Sequence, residues 1–260
     1  MRNESDVDTA KELPTVISFC SGYGGIERGL ELAGVEHRVL CYVEIEAHAQ
    51  ALLVKSMEQG DIPPAPIYSD LTTFPSHIFR GSTSLITAGY PCQPFSQSGK
   101  RQGADDEQGR HLWPFIREHI RAIEPAGCFF ENVYGHISLG LSTVISDLEE
   151  DGYKVEAGIF SAVEVGADQG RKRVYIQAHI PNTMRERGRS GDTQREDAAD
   201  AGELPRGSWD YTRGVGHWDS EPSMGRVAHG VAHRTDRLRL LGNGVVPQTA
   251  ALAWSVLSQI

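Results

Sequence analysis

The stretch GYPCQPFSQSGK, residues 89–100, sets Cys92 between two prolines and follows it with a polar run. A cysteine that fills a core sits among apolar residues; here Pro91 and Pro94 restrict the backbone on either side of the thiol. The loop beyond it, SQSGKRQGADDEQGR, is glycine-rich and polar, the composition of a lid over a site. An aimed thiol under a lid suits nucleophilic catalysis, and positive groups nearby would lower its pKa. Candidates for those groups lie in QGRKR (169–173), which leads into the apolar run VYIQAHI. On a strand, alternation would set Gln169, Arg171 and Arg173 on one side. The other cysteines, Cys20, Cys41 and Cys128, fall within apolar runs and read as inert packed thiols.

Further candidates stand where apolar runs end. TVISFC is followed by SGYGG (Ser21 to Gly25), a glycine turn that lets a ligand approach backbone amides. It is not a G-x-G-x-x-G dinucleotide turn, because Glu27 stands where the third glycine should be. VLCYV ends in Glu44, where a carboxylate could grip ribose hydroxyls, and IYSDL offers Asp70, able to accept from an adenine amino group. GCFF ends in Glu131-Asn132. Taken alone, each is more readily a tight turn or a solvated acid than a functional group.

These residues need elements to hold them. Strands are expected over 15–20, 39–44, 84–89, 127–132, 155–160 and 173–180, and helices over 26–33, 47–60, 113–123 and 141–152. Strand–helix alternation of this kind predicts an α/β fold with a mostly parallel sheet, in which ligands bind at the carboxyl edge of the strands. After Pro181 the pattern collapses. Residues 182–239 hold ten arginines, no lysine and ten acids, so the stretch is arginine-rich without being basic. It reads as an irregular region, after which a turn and a helix from near Pro247 return. The expected organisation is a tail over 1–14, a catalytic domain over 15–181, a small region over 182–233 and a returning segment over 234–260.

Composition narrows the classes. A net charge of −10 argues against coating nucleic acid through bulk positive charge. No apolar run approaches a membrane span and the first residues lack a signal peptide's apolar stretch, so the expected location is the cytoplasm. The four cysteines never form a Cys-x-x-Cys pair, which argues against a zinc cluster or a disulfide frame, and no metal is expected.

Taken in order, SGYGG, PCQPFS, ENV, Q-x-R-x-R and GN-x-V resemble the ordered motif set of DNA cytosine-5 methyltransferases. The resemblance covers residues 15–181 and 234–257. It implies a Rossmann-like methyltransferase fold binding S-adenosylmethionine, with a small irregular target-recognition region. Ser21, Gly22, Tyr23, Gly24 and Gly25, with Cys20 beside them, would hold the methionine part of that cofactor. Glu44 and Ile45 would take the ribose, Asp70 and Leu71 the adenine, and Pro91, Asn243 and Gly244 would close the pocket. Cys92 would be the nucleophile, Glu131 the partner of the cytosine N3 and amino edge, and Arg173 the contact to O2, with Arg171 beside it. Gln93, Ser96 and Gln169 would face double-stranded DNA. The resemblance further implies a monomer and admits a cognate restriction endonuclease as partner.

The chemistry explains these residue types. C5 of cytosine is a poor nucleophile, and a thiolate adding to C6 makes it enamine-like. Charge accumulates on the ring meanwhile, so an acid and an arginine must stabilise it. The base must first leave the stack. Three departures from the family pattern stand out: Phe19-Cys20 replaces Leu-Phe before the turn, Asp168 stands at a common proline position, and Gly170 interrupts Q-x-R-x-R. Three other readings compete. Some family members methylate cytosine in transfer RNA, and parallel labelling of DNA and RNA would separate the two. A non-catalytic DNA-binding homologue would have no need of Cys92. A nicotinamide oxidoreductase is disfavoured by the missing third glycine.

Overall fold

The computed structural model describes residues 13–91, 112–181 and 244–259. Cys92, Gln93, Ser96, Asn243 and the region expected to read the target lie outside them. Seven strands form one sheet: β1 (Thr15–Phe19), β2 (Arg38–Val43), β3 (Ile67–Tyr68), β4 (Leu85–Ala88), β5 (Gly127–Val133), β6 (Lys154–Ser161) and β7 (Lys172–His179). The helices are α1 (Gly25–Leu32), α2 (Ala47–Gln59), α3 (Trp113–Ile123), α4 (His136–Leu139), α5 (Leu141–Glu150) and α6 (Pro247–Leu257).

The strand order is β3-β2-β1-β4-β5-β7-β6. β1 to β5 pair in parallel, while β7 runs antiparallel to both β5 and β6. The antiparallel strand has a simple cause: residues 162–171, which join β6 to β7, fall short of the dozen or so that a parallel crossover needs. The winding reverses between β1 and β4, and the crevice at their carboxyl ends is where this architecture binds ligands.

Central strands buried on both faces read as unbroken apolar runs, and TVISF and LITA are such runs. One face is covered by α1 and α6, with Leu30, Phe129, Tyr175 and Trp254 in a shared core. The other is covered by α3 and α5, which enclose Phe19, Ile86, Cys128 and Phe130. α6 starts at Pro247, whose missing N–H costs nothing in a first turn. It reaches α1 at Gly29, where an added Cβ would stand 2.6 Å from the Ala250 Cβ. The edge of Trp254 meets Phe129 at 5.1 Å between ring centroids, and α6 is thereby fixed onto β5. Among the described residues no helix is long and apolar enough to cross a membrane.

Candidate active site

β1 ends in a turn whose backbone demands glycine. Gly22 and Gly24 have φ of 57° and 81°, and Gly24 caps α1 in the left-handed region. Cys20 shares that region at φ 49° without being a glycine, a strained position at the head of the turn. Ser21 ties the turn to the neighbouring strand: its hydroxyl donates to the Ser18 carbonyl at 2.9 Å and accepts from the Val43 amide at 3.2 Å. Phe19 points away from the turn, fully buried with its ring edge-on to Phe74 at 5.4 Å. The departure noted at this position therefore leaves Phe19 in the core and sets a thiol at the head of the turn.

Glu44 follows β2 and is buried against the same turn. Its Oε2 accepts from the Gly22 amide and its Oε1 from the Glu46 amide, each at 2.8 Å. Burial raises its pKa, while those two amides oppose the rise. Ile45 beside it is 74% exposed, an apolar platform facing outward. Asp70 caps the short 3-10 turn Leu71–Thr73, its Oδ1 accepting from the Thr72 amide at 2.9 Å. Beside Gly22 a Cβ would meet nothing within 4 Å, so the turn carries open space next to the Glu44 carboxylate. An acceptor with room beside a glycine turn fits a ribose-bearing cofactor such as S-adenosylmethionine.

On the other side of the crevice, Glu131 lies near the end of β5 and is 6% exposed. Arg173 of β7 sits diagonally across from it, with Nε 2.9 Å from Oε1. Burial pushes the Glu131 carboxyl up to about 7, against the lowering pull of Arg173 and then Arg171. A carboxyl poised there can hold or release a proton at neutral pH. Arg171 donates from Nη2 to the Gly244 carbonyl at 2.6 Å. Gln169 and Arg171 both precede β7, which starts at Lys172, so of the three only Arg173 is on the strand. Gln169 lies exposed in a bend, and its carbonyl accepts from the Arg171 amide at 2.8 Å. The expected alternation therefore begins too late to include Gln169 or Arg171.

Two positioning groups were not assigned from sequence. Asn132 donates its side-chain amide to the Tyr90 carbonyl at 3.1 Å, and so anchors the main chain just before Pro91 and Cys92. Its signal was its place in ENV. Tyr90 also pairs its hydroxyl with His136 Nε2 at 3.2 Å, a ring that burial keeps biased to the neutral form. The remaining described thiols are poorly suited to attack. Burial, then the nearby Glu44, pushes Cys20 up to about 12, and burial pushes Cys41 up to about 11 and Cys128 higher still. All three are free thiols, as their apolar runs implied.

A family model described as C-5 cytosine-specific DNA methylase matches residues 14–201. The Type II methyltransferase M.BanI of Aneurinibacillus aneurinilyticus is 34% identical over 171 residues, 62% of this chain and 37% of that protein. The Type II methyltransferase M.HpaII of Haemophilus parainfluenzae is 34% identical over 173 residues, 64% of this chain and 46% of that protein. Among solved structures, the S. pombe Dnmt2 methyltransferase has a TM-score of 0.55 at 21% identity, covering 74% of this chain and 59% of that one, a likeness of fold. The matched chain thus spans less than half the length of these two Type II relatives.

Proposed function

The chain belongs to the C-5 cytosine-specific DNA methylase family, and we propose that it methylates C5 of a flipped-out cytosine in DNA through a covalent bond between Cys92 and C6. S-adenosylmethionine, when bound, supplies the electrophilic methyl group. The turn Ser21–Gly25, Glu44 and Ile45 would hold it, with Asp70 and Leu71 at the adenine end. The Cys92 thiolate adds to C6 while Glu131 shares its proton with N3 and Arg173 draws charge toward O2. C5 thereby becomes nucleophilic. Loss of the C5 proton after methylation lets the C6–S bond break, returning the thiolate. Residues 182–233, with arginine as their only base besides histidine, would read the target, since arginine addresses guanine edges in bidentate fashion.

One observation carries this reading: a carboxyl only 6% exposed, 2.9 Å from the Arg173 guanidinium, on the strand adjacent to the one that leads to Cys92. A solvated acid would not be buried there. The test is incorporation of labelled methyl from S-adenosylmethionine into DNA and, in parallel, into transfer RNA. Label in DNA that is lost with Cys92→Ala supports the proposal. Label confined to RNA, or label that survives Cys92→Ala, contradicts it.

A further inference from the structure

The cofactor side and the base side of the crevice meet at two consecutive residues, Gly244 and Val245. Tyr23, in the glycine turn, donates its hydroxyl to the Val245 carbonyl, a residue 222 positions away in sequence. Its ring lies so close over Gly244 that a Cβ there would stand 1.9 Å from Tyr23 Cε1. Gly25 is confined by the same segment: its Cβ would lie 2.5 Å from the Val245 oxygen. Arg171 in turn holds the Gly244 carbonyl at 2.6 Å. Two consecutive carbonyls are thus gripped, one by the cofactor turn and one by the arginine that borders Glu131.

Packing alone does not require a phenol here. An apolar ring would cover Gly244 equally well, yet a buried hydroxyl is spent on one carbonyl. Burial pushes the phenol up to about 12, so it stays protonated and remains a donor. Arg171 cannot reorient without giving up its own carbonyl, and Glu131 lies within its electrostatic reach.

We propose that Tyr23 is a positioning residue that couples cofactor binding to assembly of the base pocket. The inference rests on the methyltransferase reading above. A cofactor seated in the Ser21–Gly25 turn fixes Tyr23, Tyr23 fixes the segment Gly244 to Val245, and that segment fixes Arg171 beside Glu131 and Arg173. Coupling of this kind is reciprocal, so cofactor and target cytosine should each tighten the other's binding.

The experiment measures binding of the full chain to duplex DNA carrying its mapped methylation site, with and without S-adenosylhomocysteine, the non-reacting product. In the wild type, S-adenosylhomocysteine should tighten DNA binding by about fivefold or more, and in Tyr23→Phe that factor should fall to about one. The readout is the ratio of DNA affinities with and without saturating S-adenosylhomocysteine, so a change in the variant's own affinity for S-adenosylhomocysteine does not enter it. Arg171→Lys, which breaks the opposite grip, should erase the factor as well, and it decides the matter if Tyr23→Phe does not fold. Variants that weaken both ligands while keeping the wild-type factor would reduce Tyr23 to a packing residue and overturn the proposal. A wild type that binds both ligands without cooperation would overturn it too. Failure of the wild type to bind S-adenosylhomocysteine or DNA at all would instead sink the methyltransferase reading.

Discussion

Glu44 and Glu131 mark the two halves of the crevice, and they differ in their partners far more than in their surroundings. Both stand at the carboxyl end of parallel strands, and they are 7% and 6% exposed. Burial raises the pKa of both. Glu44 is held by backbone amides from Gly22 and Glu46, fixed dipoles that keep its oxygens in place as acceptors. Glu131 faces a guanidinium at 2.9 Å and is pushed to about 7 even so, which leaves its proton available near neutrality. Under the proposed function, the first carboxyl would serve as a rigid acceptor for neutral hydroxyls and the second would change its protonation state. Similar burial is thus combined with fixed dipoles in one half and with a guanidinium in the other.

The sharpest break between the halves is removal of the thiol. Cys92→Ala should reduce methyl transfer to a trace while leaving S-adenosylmethionine affinity unchanged, as measured by turnover and by cofactor titration. Cys128→Ala, in the core, should keep its turnover and lose about 1 kcal/mol of stability in urea unfolding. Next is Glu131→Gln, which removes the proton but keeps the shape; turnover should fall by roughly 10² to 10⁴. In the wild type, kcat/KM should decline as pH rises through about 7, where Glu131 loses its proton, and the variant should lack that limb.

Stability should carry the same signature. The folded carboxyl holds its proton up to about 7, above the ordinary 4.5. The folded state therefore binds that proton more tightly, and this group's contribution is fully present below 4.5 and lost as pH rises to about 7. The stability of the wild type relative to Glu131→Gln should accordingly fall between acidic and mildly alkaline buffer. A relative stability that rose would mean the arginines dominate.

On the cofactor side the effects are smaller. Glu44→Ala should weaken S-adenosylmethionine binding by about 1.5 to 3 kcal/mol, roughly one to two decades, with DNA affinity in the absence of cofactor unchanged. The smallest effect is expected at Asn132, which holds the Tyr90 carbonyl two residues before Cys92 in the chain. Loss of that hydrogen bond in Asn132→Ala should cost about 1 kcal/mol. The rate of thiol addition should slow severalfold while cofactor titration stays flat.

The elements were legible wherever apolar runs were long. β1, β4 and β5 announced themselves as short, mostly apolar runs, and α3 ran over the residues its periodicity gave. The two-residue β3 was too short to leave a period, and nothing local in RVYIQAH encodes that β7 runs against its neighbours; the short link from β6 does. At the site, residues that end strands could be located because a strand end is visible in sequence. Glu44 and Glu131 were found that way. Partnerships were not visible. That Tyr23 grips Val245, or that Gly244 must lack a Cβ, depends on a chain return across more than two hundred residues. Gln169 was misread for a related reason: a tight turn through the Arg171 amide replaced the strand that alternation assumed.

The central claim is that Cys92 forms a covalent bond to C6 of cytosine during methyl transfer, and a mechanism-based trap reports on that bond directly. DNA carrying 5-fluorocytosine at the methylation site, incubated with enzyme and S-adenosylmethionine, cannot lose fluorine as it would lose the C5 proton. A denaturation-resistant protein–DNA adduct should accumulate, map to the peptide containing Cys92 and vanish in Cys92→Ala. Enzyme that methylates ordinary cytosine yet forms no adduct with the fluorinated base would contradict the account.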